Sequence, residues 1–200
     1  MIPLRFRKSS EGALANYDFV DIAEGTGVVI FYGGATETSA GITYLFSKNA
    51  FYSEYTTIIF GVGTNTRNFD TGVFNLPKAI KGTAYFSVGL YTQSGGANAY
   101  LKVTVQKSSG GAITNCSSQI SSATINGNGA YNMLMIPIPL TTTHFKKGDF
   151  LRVEVSAVNS LNAIEYGTDP MGRPGTYLTG AVLNTMTTKM QLYMPFQLDL

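Results

Sequence analysis

One histidine and one cysteine are all the chain offers for imidazole or thiol chemistry. His144 lies in Thr142-Thr143-His144-Phe145-Lys146, just before a turn. A serine or cysteine nucleophile needs such a base, itself oriented by a carboxylate, and no serine here stands in a Gly-x-Ser-x-Gly elbow. His144 therefore reads as a plain loop histidine. Cys116, in a serine-rich stretch with no identifiable base, reads as a small, partly buried residue. One histidine and one cysteine fall short of the four ligands of a zinc site. Asp18, Asp21 and Glu24 form the densest acidic cluster, but their spacing lacks the one-three-five order of a calcium loop and reads as a solvated turn. A carboxylate pair for glycoside hydrolysis, such as Glu54 and Glu165, is a matter for the fold to decide. Gly61-Val62-Gly63-Thr64 and Gly25-Thr26-Gly27 begin like a dinucleotide loop, yet lack the third glycine and the following helix, and read as strand-end turns. The expectation is no catalytic residue, no metal, no cofactor, and hence no enzyme.

The elements that would position such groups follow from composition and pattern. With 44% hydrophobic residues, 12 Tyr, 12 Phe and 22 Gly against 13% charged residues, the chain has ample core material and about half the usual charge. A chain of 200 residues buries roughly 70% of its unfolded surface, enough for one self-sufficient core. A net charge of +2 is too small for a phosphate-binding face, so no nucleic acid is expected. A single cysteine forms no intrachain disulfide. The first residues lack a secretory apolar run, and nowhere do about 18 apolar residues follow one another. Synthesis in a cytoplasm and no membrane insertion are expected.

Period-two alternation marks the strands. In Gly82 to Tyr91, Ala84, Phe86, Val88 and Leu90 share a face opposite Tyr85, Ser87, Gly89 and Tyr91. Tyr100 to Lys107 turns Leu101, Val103 and Val105 inward, Phe150 to Val158 does so with Leu151, Val153, Val155 and Ala157, and the run from Thr187 aligns Met190, Leu192, Met194, Phe196, Leu198 and Leu200. Val28 to Tyr32, Ile42 to Phe46, Thr56 to Val62, Gly72 to Leu76 and Asn132 to Ile138 are further strands, about nine in all. Gly33-Gly34, Ser94-Gly95-Gly96, Ser108-Ser109-Gly110-Gly111 and Asn126-Gly127-Asn128-Gly129 read as turns. The one stretch with helical spacing, Asp18 to Ala23, is stopped by Gly25 and Gly27. The predicted fold is all-β, an antiparallel β-sandwich, best described as a jelly roll. Residues 17–200 make the single sandwich domain, and residues 1–16 an N-terminal arm or edge strand. Within that arm, Leu4, Arg5, Phe6, Arg7 and Lys8 interleave apolar and basic side chains, as a partner-binding arm or a first edge strand would.

Four segments together resemble the jelly-roll decoration, or cement, proteins of tailed-phage heads: Asp18 to Gly27, Phe145-Lys146-Lys147-Gly148-Asp149 running on to Val155, Gly167-Thr168-Asp169-Pro170-Met171-Gly172-Arg173, and Leu192-Tyr193-Met194-Pro195-Phe196-Gln197-Leu198-Asp199-Leu200. The resemblance implies a virion protein on the capsid surface, a homotrimer that binds the major capsid protein and braces adjacent subunits. A low-charge, Tyr- and Thr-rich exterior suits a chain that buries several faces. The alternative is a carbohydrate- or receptor-binding module of a phage tail or head fibre, with Tyr85 and Tyr91 stacking on sugar rings. A third reading, a hydrolase on a β-sandwich, requires two acids or His144 at the mouth of a pocket.

Overall fold

Alternating side chains and positive-φ glycines decide most of the architecture. The computed structural model describes residues 27–92, 98–126, 131–159, 164–173 and 188–198. Over these the chain forms β1 (Gly27–Thr38), β2 (Gly41–Ser47), β3 (Thr57–Phe60), β4 (Gly63–Thr71), β5 (Lys78–Thr92), β6 (Asn98–Ser109), β7 (Ala112–Asn115), β8 (Ile120–Ser121), β9 (Ile125–Asn126), β10 (Tyr131–Phe145), β11 (Phe150–Asn159), β12 (Ile164–Gly167) and β13 (Met190–Leu198).

Hydrogen bonding runs in the order β3-β12-β5-β13-β1-β2-β4-β11-β6-β7, with β10 on β5 and with β8 and β9 on β6. β5 is the hinge of one layer: β10 pairs along its whole length, while β13 and then β12 share its other edge. Every pairing is antiparallel except β2 with β4, a join of only two residue pairs, Leu45↔Asp70 and Phe46↔Thr71. There the sheet folds over, setting β10-β5-β13-β1-β2 with β12 and β3 against β4-β11-β6 and its short partners. The chain crosses between these layers repeatedly, as a jelly-roll sandwich requires.

The core lies between the layers. Phe46 of β2 meets Phe69 of β4 at 5.4 Å and Phe86 of β5 at 6.4 Å between ring centroids, and Phe69 meets Tyr166 of β12 at 6.3 Å. Ala84, Phe86, Val88 and Leu90, then Leu101, Val103 and Val105, then Leu151, Val153, Val155 and Ala157, and finally Met190, Leu192 and Met194, are all fully buried, as their alternation predicts. Each large side chain so buried contributes about 1.5–3 kcal/mol.

Two expectations are corrected. Gly33 and Gly34 make no turn; they lie inside β1 and are buried. A β-carbon on Gly33 would fall on the Met190 thioether and within 2.9 Å of Phe46 Cε1, so glycine serves close packing here and not chain reversal. Gly72 to Leu76 is not a strand. The neighbouring polar segment Gly63–Thr71 is, and Gly72 to Leu76 instead pins Phe74 edge-on between Phe145 and Phe196 at 5.2 and 5.7 Å. The Gly110-Gly111 turn is where the sequence puts it, with φ of 55° and 88° between β6 and β7. The Asp18 to Ala23 stretch and the Ser94-Gly95-Gly96 turn fall outside the described residues.

Candidate functional site

The residues singled out for chemistry scatter. His144 is exposed near the end of β10, where its carbonyl accepts a 2.7 Å hydrogen bond from Lys107 Nζ. Cys116 is fully buried, and burial pushes its thiol up. Glu165 is buried on β12, whereas Glu54 is exposed and accepts from the backbone N–H of Glu37. The phenol of Tyr55 donates to Glu37 Oε2 at 3.1 Å and is pushed up in pKa, first by that bond, then by burial and the two glutamate charges. Among the described residues, no three His, Cys, Asp or Glu side chains group as metal ligands. Leu4, Arg5, Phe6, Arg7 and Lys8 lie outside the described residues.

Among the described residues, the segments behind the family resemblance are framework. Lys146 to Asp149 is a turn between β10 and β11 with Gly148 at φ 91°, the value such a turn needs at its third residue. Asp149 Oδ2 accepts the Lys146 N–H at 2.7 Å and pairs with Lys107 Nζ at 3.0 Å. Burial pushes this carboxyl up, but those bonds, one from Ser109 and the Lys107 charge outweigh it and hold the group below the usual carboxylate range. Two backbone bonds, Phe74 N–H to Asp149 and Gly148 N–H to Phe74, each 2.8 Å, lock the turn to the Phe74 segment.

Gly167 to Arg173 is a second staple. Asp169 is fully buried and accepts from the N–H of Met171 at 3.1 Å, the N–H of Arg173 at 3.3 Å and Arg173 Nε. Arg173 reaches on to the Ser53 carbonyl, and Thr168 bonds the carbonyls of Tyr55 and Thr56. Thr188, just before β13, closes the ring by donating to the Arg173 carbonyl at 2.8 Å.

The surface feature that stands out is the outer face of β1, β13, β5 and β10. Register places Ile30 opposite Tyr193, Tyr193 opposite Tyr85, and Tyr85 opposite Pro137, one row across four strands. Val28 beside Pro195 flanks that row, and Met133, Met135 and Pro139 continue the face along β10. Val28 is 64% exposed, Met135 62%, Met133 52% and Tyr85 43%, and unlike the equally exposed Tyr52, Val62 and Val73 they adjoin one another on one sheet face. Val28, Tyr85, Met135 and Tyr193 line a shallow depression of about 260 Å³. The nine side chains include no charge.

This chemistry bears on the sugar alternative. The expected Tyr85–Tyr91 platform does not form, because Tyr91 is 5% exposed and lies against Tyr131 at 4.9 Å between ring centroids. Sequence alternation had put both tyrosines on one face, correctly; it gave no sign that β10 brings a tyrosine over one of them.

No family model and no curated protein sequence matches the chain. Solved structures do match in fold. An aminopeptidase from a marine sediment Thaumarchaeota archaeon superposes at a TM-score of 0.54 and 10% identity over 96% of this chain and 39% of its own. A CocE/NonD family hydrolase from Staphylococcus aureus superposes at 0.52 and 9% identity over 86% of this chain and 37% of its own. The chain thus spans well under half the length of either. The expectation that the chain is no enzyme is corrected by these likenesses: the fold occurs within hydrolase chains, and a sparse set of catalytic residue types in one β domain does not define what that domain serves.

Proposed function

We propose that the chain is a structural virion protein, a decoration or cement protein that binds the outside of a phage head and stabilises contacts between major capsid subunits. The observation that carries the reading is the uncharged, mainly apolar outer face of β1, β13, β5 and β10, a surface suited to another protein. The resemblance of three framework segments, the Gly148-Asp149 turn, the Asp169 staple and the β13 strand, supports a common scaffold. Leu4, Arg5, Phe6, Arg7 and Lys8 are proposed to reach the capsid as a docking arm. The test mixes purified protein with undecorated heads at low and high salt. Binding that survives 1 M salt, where the Debye length falls to about 3 Å, and weakens on deletion of residues 1–8, is the expected outcome. Absence of the chain from purified particles by mass spectrometry would sink the reading.

A second reading is favoured by the fold likeness: the chain serves as the β domain of a hydrolytic assembly. Its test is direct. Ester and aminoacyl-amide substrates are offered to the chain alone and to any particle that carries it, and turnover lost on immunodepletion of the chain would support this reading over the first.

A further inference from the structure

The sandwich has a gap where its two layers join. β2 and β4 run parallel and pair only at Leu45↔Asp70 and Phe46↔Thr71. Both strands end there, β4 at Thr71 and β2 at Ser47, and no ladder continues the seam. A cleft of about 650 Å³ opens at that point between residues 43–48 and residues 70–76, with Phe31 and Lys78 in its wall. Small-molecule sites measure about 300–1,000 Å³ and combine apolar walls with a few polar groups.

The lining decides the class of ligand. Phe31, Phe46 and Phe74 are core residues, at most 6% exposed, so the cleft reaches down to the apolar interior. Lys78 stands at the start of β5 with the parity of the inward Ile80, Ala84 and Phe86, where alternation calls for an apolar residue. It is the most buried lysine among the described residues, 7% exposed, and its Nζ lies 5.5 Å from the ring centre of Phe196 and 5.9 Å from that of Phe74. An ammonium in such surroundings attracts an anion far more strongly than it would in water. Lys48 adds a second positive charge at the exposed rim. The acid in the wall, Asp70, does not offset them, because Arg152 holds both its oxygens at 2.6 and 2.7 Å. A phosphate calls for an arginine fork or a run of backbone N–H groups; among the described residues no arginine lines the cleft, and the fork of Arg152 beside it is taken. Charge and lining together fit a singly charged acid with an apolar body.

We propose that this cleft binds a small carboxylic acid, its apolar body against Phe31, Phe46 and Phe74 and its carboxylate at Lys78. The site opens on the core side of β1 and leaves the outer face of that strand untouched, so it stands or falls apart from the contact-surface reading above. Octanoate is titrated into the full chain by calorimetry, with octanol and octylamine as neutral and cationic counterparts of the same length. One octanoate per chain should bind, about tenfold or more tighter than either counterpart, the margin a charge-assisted hydrogen bond gives. Lys78→Met keeps the stem and removes the charge, and should lower octanoate affinity about tenfold while leaving octanol unchanged. Lys78→Arg keeps the charge and should retain binding. Lys81→Met removes the same charge from an exposed position on the same strand and should change nothing. In the unmodified protein, octanoate should shift the magnetic resonance signals of Phe31, Phe46 and Phe74 and leave those of Met133 and Met135 on the outer face in place. Absence of saturable octanoate binding, equal affinity for octanol or octylamine, an unchanged affinity in Lys78→Met, or shifts at Met133 and Met135 in place of the three phenylalanines overturns the proposal.

Discussion

Asp169→Ala takes a fully buried carboxylate out of the turn that ties β12, the loop before β3 and the start of β13 together. Three donors lose their acceptor: the backbone N–H groups of Met171 and Arg173, and Arg173 Nε. Hydrogen bonds to a charged group contribute about 1.5–3 kcal/mol each, and breaking a buried ion pair by removing one partner costs about 3–5 kcal/mol. The Arg173 side chain is 39% exposed and regains water, so the low end applies, about 3 kcal/mol. For a chain of this size that lowers the melting temperature by about 6–12 °C. Urea unfolding followed by strand circular dichroism is the assay, with the midpoint falling and the slope unchanged. Asp169→Asn keeps a carbonyl acceptor and loses the charge, so it should cost about half as much. Stability of Asp169→Ala within about 0.5 kcal/mol of the parent, the usual effect of a surface change, would refute the staple.

Two further changes probe the framework. Gly33→Ala should cost about 1–3 kcal/mol by overpacking, softened only as far as the flexible Met190 side chain gives way, and a melt of equal midpoint would show the pocket to be loose. Asp149 is held below its ordinary pKa, so its contribution is complete above about pH 4 and is lost as pH falls through the folded-state value; Asp149→Asn should flatten acid unfolding in that window, and an unchanged acid limb would contradict the depressed value.

What sequence shows of this fold depends on where each strand lies. β6 and β11 each pack on an apolar core with one side only, so period two betrays them and their inward Leu101, Val103, Val105, Leu151, Val153, Val155 and Ala157 come out fully buried. β4, Gly-Thr-Asn-Thr-Arg-Asn-Phe-Asp-Thr, carries almost no apolar residue and was invisible to that criterion. It is held by its partner β11 instead, through eight register pairs, the 2.8 Å contact of Thr66 and Ser156 hydroxyls, and the two-pronged Arg152–Asp70 ion pair at 2.6 and 2.7 Å. Pairing of that kind is long-range and leaves no local pattern. β12 is four residues long, too short for any period to register, yet Ile164 and Tyr166 are both fully buried. The resemblance segments were legible as turns and a strand, but their tertiary role as staples depends on Ser53, Phe74 and Thr188, distant residues that no local reading joins to them.

The contact face left a signal that alternation alone is built to discard. A strand with one wet side alternates, whereas a strand that is apolar on both sides has two surfaces to cover. Val28-Val29-Ile30-Phe31-Tyr32, Met133-Leu134-Met135-Ile136-Pro137 and Leu192-Tyr193-Met194-Pro195-Phe196 are all of the second kind. In each, one parity enters the core, with Phe31, Ile136, Leu192, Met194 and Phe196 no more than 3% exposed, while the other parity holds Val28, Met133 and Met135 more than half exposed. One such strand would be an accident of composition. Register sets β10 and β13 on either side of β5, whose Tyr85 completes the row, and β1 beyond β13, so the surplus apolar residues of separate segments converge on one surface. Convergence is the argument for a partner: residues that served only folding would have no reason to gather on the side of the sheet that faces away from the core.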